Sequence, residues 1–403
     1  GGLVMLSSAG NDARVSSYTV RIVYDFKINQ TICYLIPTGP DVATSIDVLI
    51  ERINQDEEGN ATQVTAAITP ANAEVGLTVY GLITLTKDHI TDPYKSEQET
   101  LTYWISFPFD VKIGDITGFG EVGKHWMIKY YDGAERAAKG WFLDTKTFWK
   151  FFLDTEDVMK ANTGYVLTLN KSLLNASNPV YDNTNTLKLY FPSKEKITGE
   201  INSNLTETSV TLEPLECKIT SPADRTIKDS HWNLIGVPSY AHKNNNNEDV
   251  KFFYDYDFHE DKYSAEMNAG PNTFYAMHAY MVQYHGTINW STFTTEPAQL
   301  AAKKNADAEE QYTLRLELQQ NGTKADQTFV ELHDDATTMF DMNVDLTKMF
   351  NTGANIYTLI GSDNQVAANV MPIANTTIPV GVQIATAGEY TFAMPDGTDG
   401  IIV

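Results

Sequence analysis

Short runs rich in Val, Ile, Thr, Tyr and Phe, many alternating with polar residues and parted by Asn, Asp, Gly and Pro, recur along this 403-residue chain. Residues 17–24, 164–169, 187–191 and 312–318 are examples. A period of two sends successive side chains to opposite faces of a strand, and β-branched and aromatic residues suit a pleated surface. Such runs, with turn chemistry between them, predict an all-β chain of tandem β-sandwich modules, jelly-roll or Ig-like, and not βαβ units. Helical windows are few: Val42 to Ile53, Thr145 to Phe152, and the Ala-rich Ala298 to Gln311, which reads as a linker helix.

The length exceeds one ordinary core, so about two to four domains are expected, and 42% hydrophobic residues suffice to fill several cores. Lys and Arg number 29 against 52 acids, a net charge of -23 spread over the whole length. That field repels nucleic acid and anionic membrane surfaces, so neither is an expected partner. No stretch approaches the roughly twenty apolar residues that span a bilayer, so direct membrane insertion is not expected. The opening Gly1 to Leu6 is too short for a signal-peptide core. A first residue other than Met, and an interrupted strand at Gly400 to Val403, suggest a processed or partial chain. Either more chain follows Val403, or the open strand edge pairs with a partner or with a second copy. Cys33 and Cys217 lie in separate strand-like runs, as buried thiols or as a long-range disulfide.

An internal repeat gives the finer division. Tyr103-Trp104-Ile105-Ser106-Phe107-Pro108 lines up with His231-Trp232 through Pro238. Ile128 to Asp132 lines up with Lys251 to Asp255, and Thr163 to Leu169 with His278 to Tyr284. The order is kept and the offset shrinks steadily, as if one module were copied and the first copy carried an insertion around Gly133 to Asp157. The expected units are 1–97, an N-terminal β domain; 98–222 and 223–305, the two copies; and 306–403, a C-terminal sandwich running off the end.

Trp232-Asn233-Leu234-Ile235-Gly236-x-Pro238, then an aromatic-Asp strand and an aromatic-hydrophobic strand, resembles a module common in large secreted and surface proteins of the Bacteroidetes. Those proteins are often exported by type IX secretion. Asp326 to Val330, Ala336 to Asp341, Ile356 to Leu359, Ile378 to Val382 and Gly388 to Phe392 resemble, in that order, the sandwich that precedes the sorting domain there. Val237 stands where the family usually carries Asn. The resemblance implies an extracellular or cell-surface, outer-membrane-associated setting, with other cell-envelope proteins as partners.

Catalytic motifs are missing. There is no Gly-x-Ser-x-Gly elbow, no Walker-type loop, and no Gly-rich context around either cysteine. Gly114 to Gly120 lacks the spacing of a dinucleotide loop, and the histidines (89, 125, 231, 242, 259, 278, 285, 333) form no zinc pair. No catalytic residue and no organic cofactor is therefore assigned. Oxygen-rich loops make calcium the sharper metal reading: Asp255 and Asp257 share a strand face, with Glu260 and Asp261 just beyond. The alternative is a solvated hairpin whose charges guard an edge; Asp334-Asp335 is a weaker cluster. Trp126, Trp141, Trp149 and Trp290 could stack on sugar rings, or pack in cores. Asn-x-Ser/Thr triplets at Asn60, Asn175, Asn204 and Asn321 would mark glycosylation in a eukaryotic host and Asn-rich turns in a bacterial one. The expected function is a non-catalytic surface protein with a structural or adhesive role. The alternatives are a carbohydrate-binding module assembly serving a larger enzyme or adhesin, and, third, a polysaccharide hydrolase.

Overall fold

The computed structural model describes the backbone of the strands between residues 4 and 86, and residues 100–140, 148–170, 186–195, 208–217, 228–238, 245–257, 261–268, 273–274, 277–292, 312–362, 364–373 and 377–395. Strands make up most of these residues and the class is all-β. Two of the windows read as helical are strands. Thr44–Leu49 pairs antiparallel with Thr78–Thr86, and Trp149–Phe151 pairs with Lys129 to Tyr131. A short apolar run satisfies either period, and here β-branched and aromatic content together with a partner strand decides it. Ala298 to Gln311 lies outside the described residues.

The helix Gly133–Lys139 falls inside the expected insertion. The Asp132 side chain caps it by accepting from the Glu135 N–H at 2.8 Å, and Gly140, at φ 67°, ends it. Arg136 on this helix is 5% exposed. Its guanidinium donates to Asp229 at 3.1 Å, the Lys228 carbonyl at 3.0 Å and the Tyr131 hydroxyl at 2.8 Å, and lies 4.5 Å over the Trp232 ring. A fully paired guanidinium is one of the few charges a core accepts.

Two four-stranded antiparallel sheets form the centre. The first runs Trp149–Phe151, Trp126–Tyr131, Gly164–Asn170, Thr100–Ser106; the second runs Lys262–Met267, Phe252–Asp257, Ala279–Gln283, Trp232–Gly236. Strand order and pairing correspond throughout. The sheets also meet reciprocally: Ser106 N–H donates to the Met277 carbonyl and Gly236 N–H to the Asn162 carbonyl, each at 2.9 Å. Ile105 bridges His278 as Ile235 bridges Thr163. These pairings equate Pro108 with Pro238 and Tyr165 with Tyr280, but Trp104 with Leu234 rather than Trp232, a two-residue shift that keeps each side chain on its face. Close approach at the crossing needs small residues. A Cβ on Gly236 would stand 2.3 Å from the Ser106 Cβ, and one on Gly164 2.5 Å from the Leu234 Cγ.

Both central sheets are covered on both sides. One face of the first sheet, with Leu101, Tyr103, Ile128 and Leu167, shares a core with Leu187, Leu189 and Phe191. The strand Thr186–Pro192 belongs to a sheet with Thr78–Thr86 and the earlier N-terminal strands. The second sheet packs Ile235, Phe253 and Tyr280 against Ile288 and Trp290, in a sheet of Thr208–Leu212, Gly286–Thr292 and Asn245–Asn246. The other faces of both sheets converge with the C-terminal sheet on one core holding Trp104, Val166, Trp232, Tyr254, Met281, Phe329 and Ala368. That last sheet runs Val380–Ile384, Ala354–Ile360, Asn364–Met371, Thr323–Leu332, Tyr312–Gln320, Thr391–Ala393, with Leu346–Thr347 beside Asn364–Met371. An Asn321-Gly322 turn, both residues at positive φ, closes its longest hairpin.

Candidate functional site

Where the three sheets converge, one cleft of about 540 Å³ stays open, inside the range of about 300–1,000 Å³ common for ligand sites. Its floor is a single row of cross-strand neighbours. Trp104 pairs with Val166, Val166 with Lys129, and Lys129 with Phe151, so four residues from four strands stand abreast on one face. Thr102, two residues from Trp104, and Trp149, two from Phe151, share that face by alternation. The Lys129 Nζ lies 5.0 Å over the Phe151 ring, which is 43% exposed.

One wall is the hairpin of the second sheet, where Tyr256 pairs with Tyr263 and Asp261 sits in the turn. Tyr256 stacks on Trp104 with centroids 5.4 Å apart, and Trp104 reaches Tyr263 at 5.8 Å and Trp149 at 6.2 Å. Trp149 in turn meets Tyr131 edge-on at 4.8 Å. A hydrogen bond fixes one phenol, the Tyr256 hydroxyl donating to Asp261. Burial, reinforced by the Asp261 carboxylate, holds the Tyr256 hydroxyl far above its usual range, and burial pushes Tyr263 up to about 12. Both are neutral hydroxyls at physiological pH.

The other wall is Phe350, Asn351 and Thr352, from the loop after Leu346–Thr347. Lys262–Met267 is an edge strand, so the outward backbone groups of alternate residues need partners. Asn351 serves Tyr263, accepting its N–H at 2.7 Å and donating to its carbonyl at 3.0 Å, while the Gln327 side chain donates to the Ala265 carbonyl at 2.5 Å. Asn351 is itself fixed by Asn355, whose Oδ1 accepts its N–H at 2.7 Å and whose Nδ2 donates to its carbonyl at 2.9 Å. The C-terminal sheet thereby sets the position of the tyrosine wall.

Of the residues singled out in the sequence, Trp149 and Asp261 line this cleft. Trp126 is 3% exposed in the first core, donating to the Phe119 carbonyl at 3.1 Å, and Trp290 is 1% exposed in another core. Neither offers a ring face to a ligand. Trp141 and Glu260 lie outside the described residues, as does the Cys33 side chain that a disulfide with Cys217 would need. Asp255 and Asp257 are half-buried and pair with Ser264 and Lys262, and the Tyr256 N–H donates to Asp255. Among the described residues no three acids, histidines or cysteines stand close enough to hold a metal ion. Sequence reading missed Thr102, Lys129, Phe151, Tyr256, Tyr263, Phe350, Asn351 and Thr352. Trp104 was noticed only as an anchor of the repeat. Alternation gives the face of each floor residue, but nothing in the chain tells that three outward faces converge.

An aromatic floor, neutral hydroxyls and one charge of each sign line this open cleft on an all-β scaffold. No protein-family model, curated protein or solved structure matches the chain. The described residues include no helix long and apolar enough to cross a membrane.

Proposed function

We propose that this chain is a carbohydrate-binding assembly of β modules, working without a catalytic step of its own as part of a secreted or surface protein. One observation carries the reading: Trp104, Trp149, Phe151, Tyr256, Tyr263 and Phe350 gather around one cleft with polar groups at its margins. Sugar rings present apolar C–H faces bordered by hydroxyls, and aromatic rings with nearby donors and acceptors match both. The surface setting, the type IX route and the descent of the two central sheets from one copied module rest on the sequence resemblance and on the matching strand order.

The test is a glycan array probed with the wild-type protein and with Trp149→Ala, with folding checked by circular dichroism. Trp149 is half-buried at the cleft, so its truncation should abolish binding and leave the spectrum unchanged. An array on which the wild-type chain binds nothing would overturn the reading. A structural or adhesive role has its own support, because the edge strand Val380–Ile384 exposes Val380, Val382 and Ile384 along one side. On that reading Val382→Lys abolishes concentration-dependent association in sedimentation; association that is absent from wild type, or unchanged in the variant, rules it out.

A further inference from the structure

Lys129 is the one cation among the residues lining the cleft. It stands in the middle of the floor, half-buried, with its ammonium against the Phe151 ring and no carboxylate partner among the described residues. A chain with 52 acids has no shortage of counter-charges; Lys112, Lys124, Lys139, Lys150, Lys160, Lys194, Lys251, Lys324 and Lys348 each have one. The lone acid of the lining, Asp261, sits at the tyrosine wall, where the Tyr256 hydroxyl donates to it. Tyr256 stacks on Trp104, which stands in the same row as Lys129 and two strands across from it, about 10 Å at one strand spacing each. The cleft therefore has a positive position on its floor and a negative one at its tyrosine wall.

On this geometry, and on the sugar-binding reading above, we propose that the ligand is an acidic glycan. The carboxylate of a uronic acid unit pairs with Lys129, its ring lies against the aromatic floor, and a hydroxyl of the neighbouring unit donates to Asp261. The burial that holds the Lys129 ammonium below its usual range is relieved when a carboxylate enters. A neutral sugar of the same shape would leave that ammonium without a counter-charge and partly stripped of water. Discrimination comes from that difference, because a site built for a charged partner rejects the analogue lacking it.

The experiment is calorimetric titration with oligogalacturonate, oligomannuronate and hyaluronan oligosaccharides, each beside its carboxyl-reduced counterpart. Wild type, Lys129→Gln and Lys129→Arg are compared. At least one acidic oligosaccharide should bind wild type about ten- to a hundredfold more tightly than its reduced form, the range of a charge-assisted hydrogen bond. Lys129→Gln should bring the two affinities together, and Lys129→Arg, which keeps the charge, should retain most of the preference. Equal affinity of wild type for both forms overturns the acidic-glycan assignment and leaves the sugar-binding reading standing. A preference that survives in Lys129→Gln removes Lys129 from the role. Absence of binding by every acidic and reduced oligosaccharide overturns this assignment, and the array then decides whether any sugar is bound at all.

Discussion

Replacing Asn351 by alanine removes the side chain that closes the outer edge of Lys262–Met267 beside Tyr263. Two hydrogen bonds go, one at 2.7 Å to the Tyr263 N–H and one at 3.0 Å to its carbonyl. At about 1 kcal/mol net for each bond, the C-terminal loop should hold the hairpin more weakly by about 2 kcal/mol, about thirtyfold in the local opening equilibrium. Both hydrogen bonds between Asn355 and Asn351 use only the Asn351 backbone and survive the substitution, so the loop itself should hold its shape. Native-state hydrogen exchange reads this directly, because the Tyr263 amide is protected by that one side chain: its exchange should accelerate about thirtyfold in Asn351→Ala, while amides inside the Thr323–Leu332 strand keep their rates. Sugar affinity should fall with it, since Tyr263 is then no longer placed against Trp104 and Trp149. An unchanged Tyr263 exchange rate would refute the claim that the C-terminal sheet sets the cleft wall.

Gly236→Ala places a carbon 2.3 Å from the Ser106 Cβ at the crossing of the two central sheets; the overpacking should cost about 1–3 kcal/mol, and an unaltered melting temperature would contradict the close approach. Arg136→Met removes the guanidinium from the buried Asp229 carboxylate, so urea unfolding should show a loss of about 3–5 kcal/mol, and a loss below about 1 kcal/mol would contradict the burial of that pair. Burial lifts Asp345, 2% exposed, from an ordinary 3.8 to about 7, against backbone hydrogen bonds from Asp341 and Val370 that act to lower it. The folded state then holds a proton that the unfolded chain has released. Stability from this group is complete below about pH 4 and is lost as pH rises through about 7, with about 3 kcal/mol going between about pH 5 and pH 8. Asp345→Asn should flatten that slope in urea titrations at the two pH values, and an equally steep slope in the variant would assign it to other groups.

The all-β class was legible because β-branched and aromatic runs parted by Asn, Gly and Pro are local signals, although the strands around Val166 and Met281 are buried on both faces and show no alternation. The Trp149 segment was misread because four aromatic residues in eight fit a helical stripe as well as a strand, and only the partner strand, through Tyr131 and Tyr130, decides between them. The Gly133–Lys139 helix carried a readable cue in Asp132 and Glu135, spaced as a cap and its third residue, beside a short Ala-rich run. The pairing of the central sheets was legible to within two residues, the slip that leaves every side chain on its own face and so is invisible to hydropathy. Much less of the cleft could be read. Trp149 and Asp261 stand out by residue type, but Lys129 looks like any surface lysine until its neighbours prove to be Phe151 and Val166. Asn351 looks like any loop asparagine, and its role exists because a strand edge 88 residues away in sequence lacks partners.

The most direct test is an experimental structure of the chain with an oligosaccharide that it binds, an oligogalacturonate first. A sugar ring should lie on the floor formed by Trp104, Val166, Lys129 and Phe151, between Tyr263 and Phe350, with a carboxylate within hydrogen-bond distance of the Lys129 Nζ. A bound sugar seated elsewhere, with this cleft filled only by water, would contradict it.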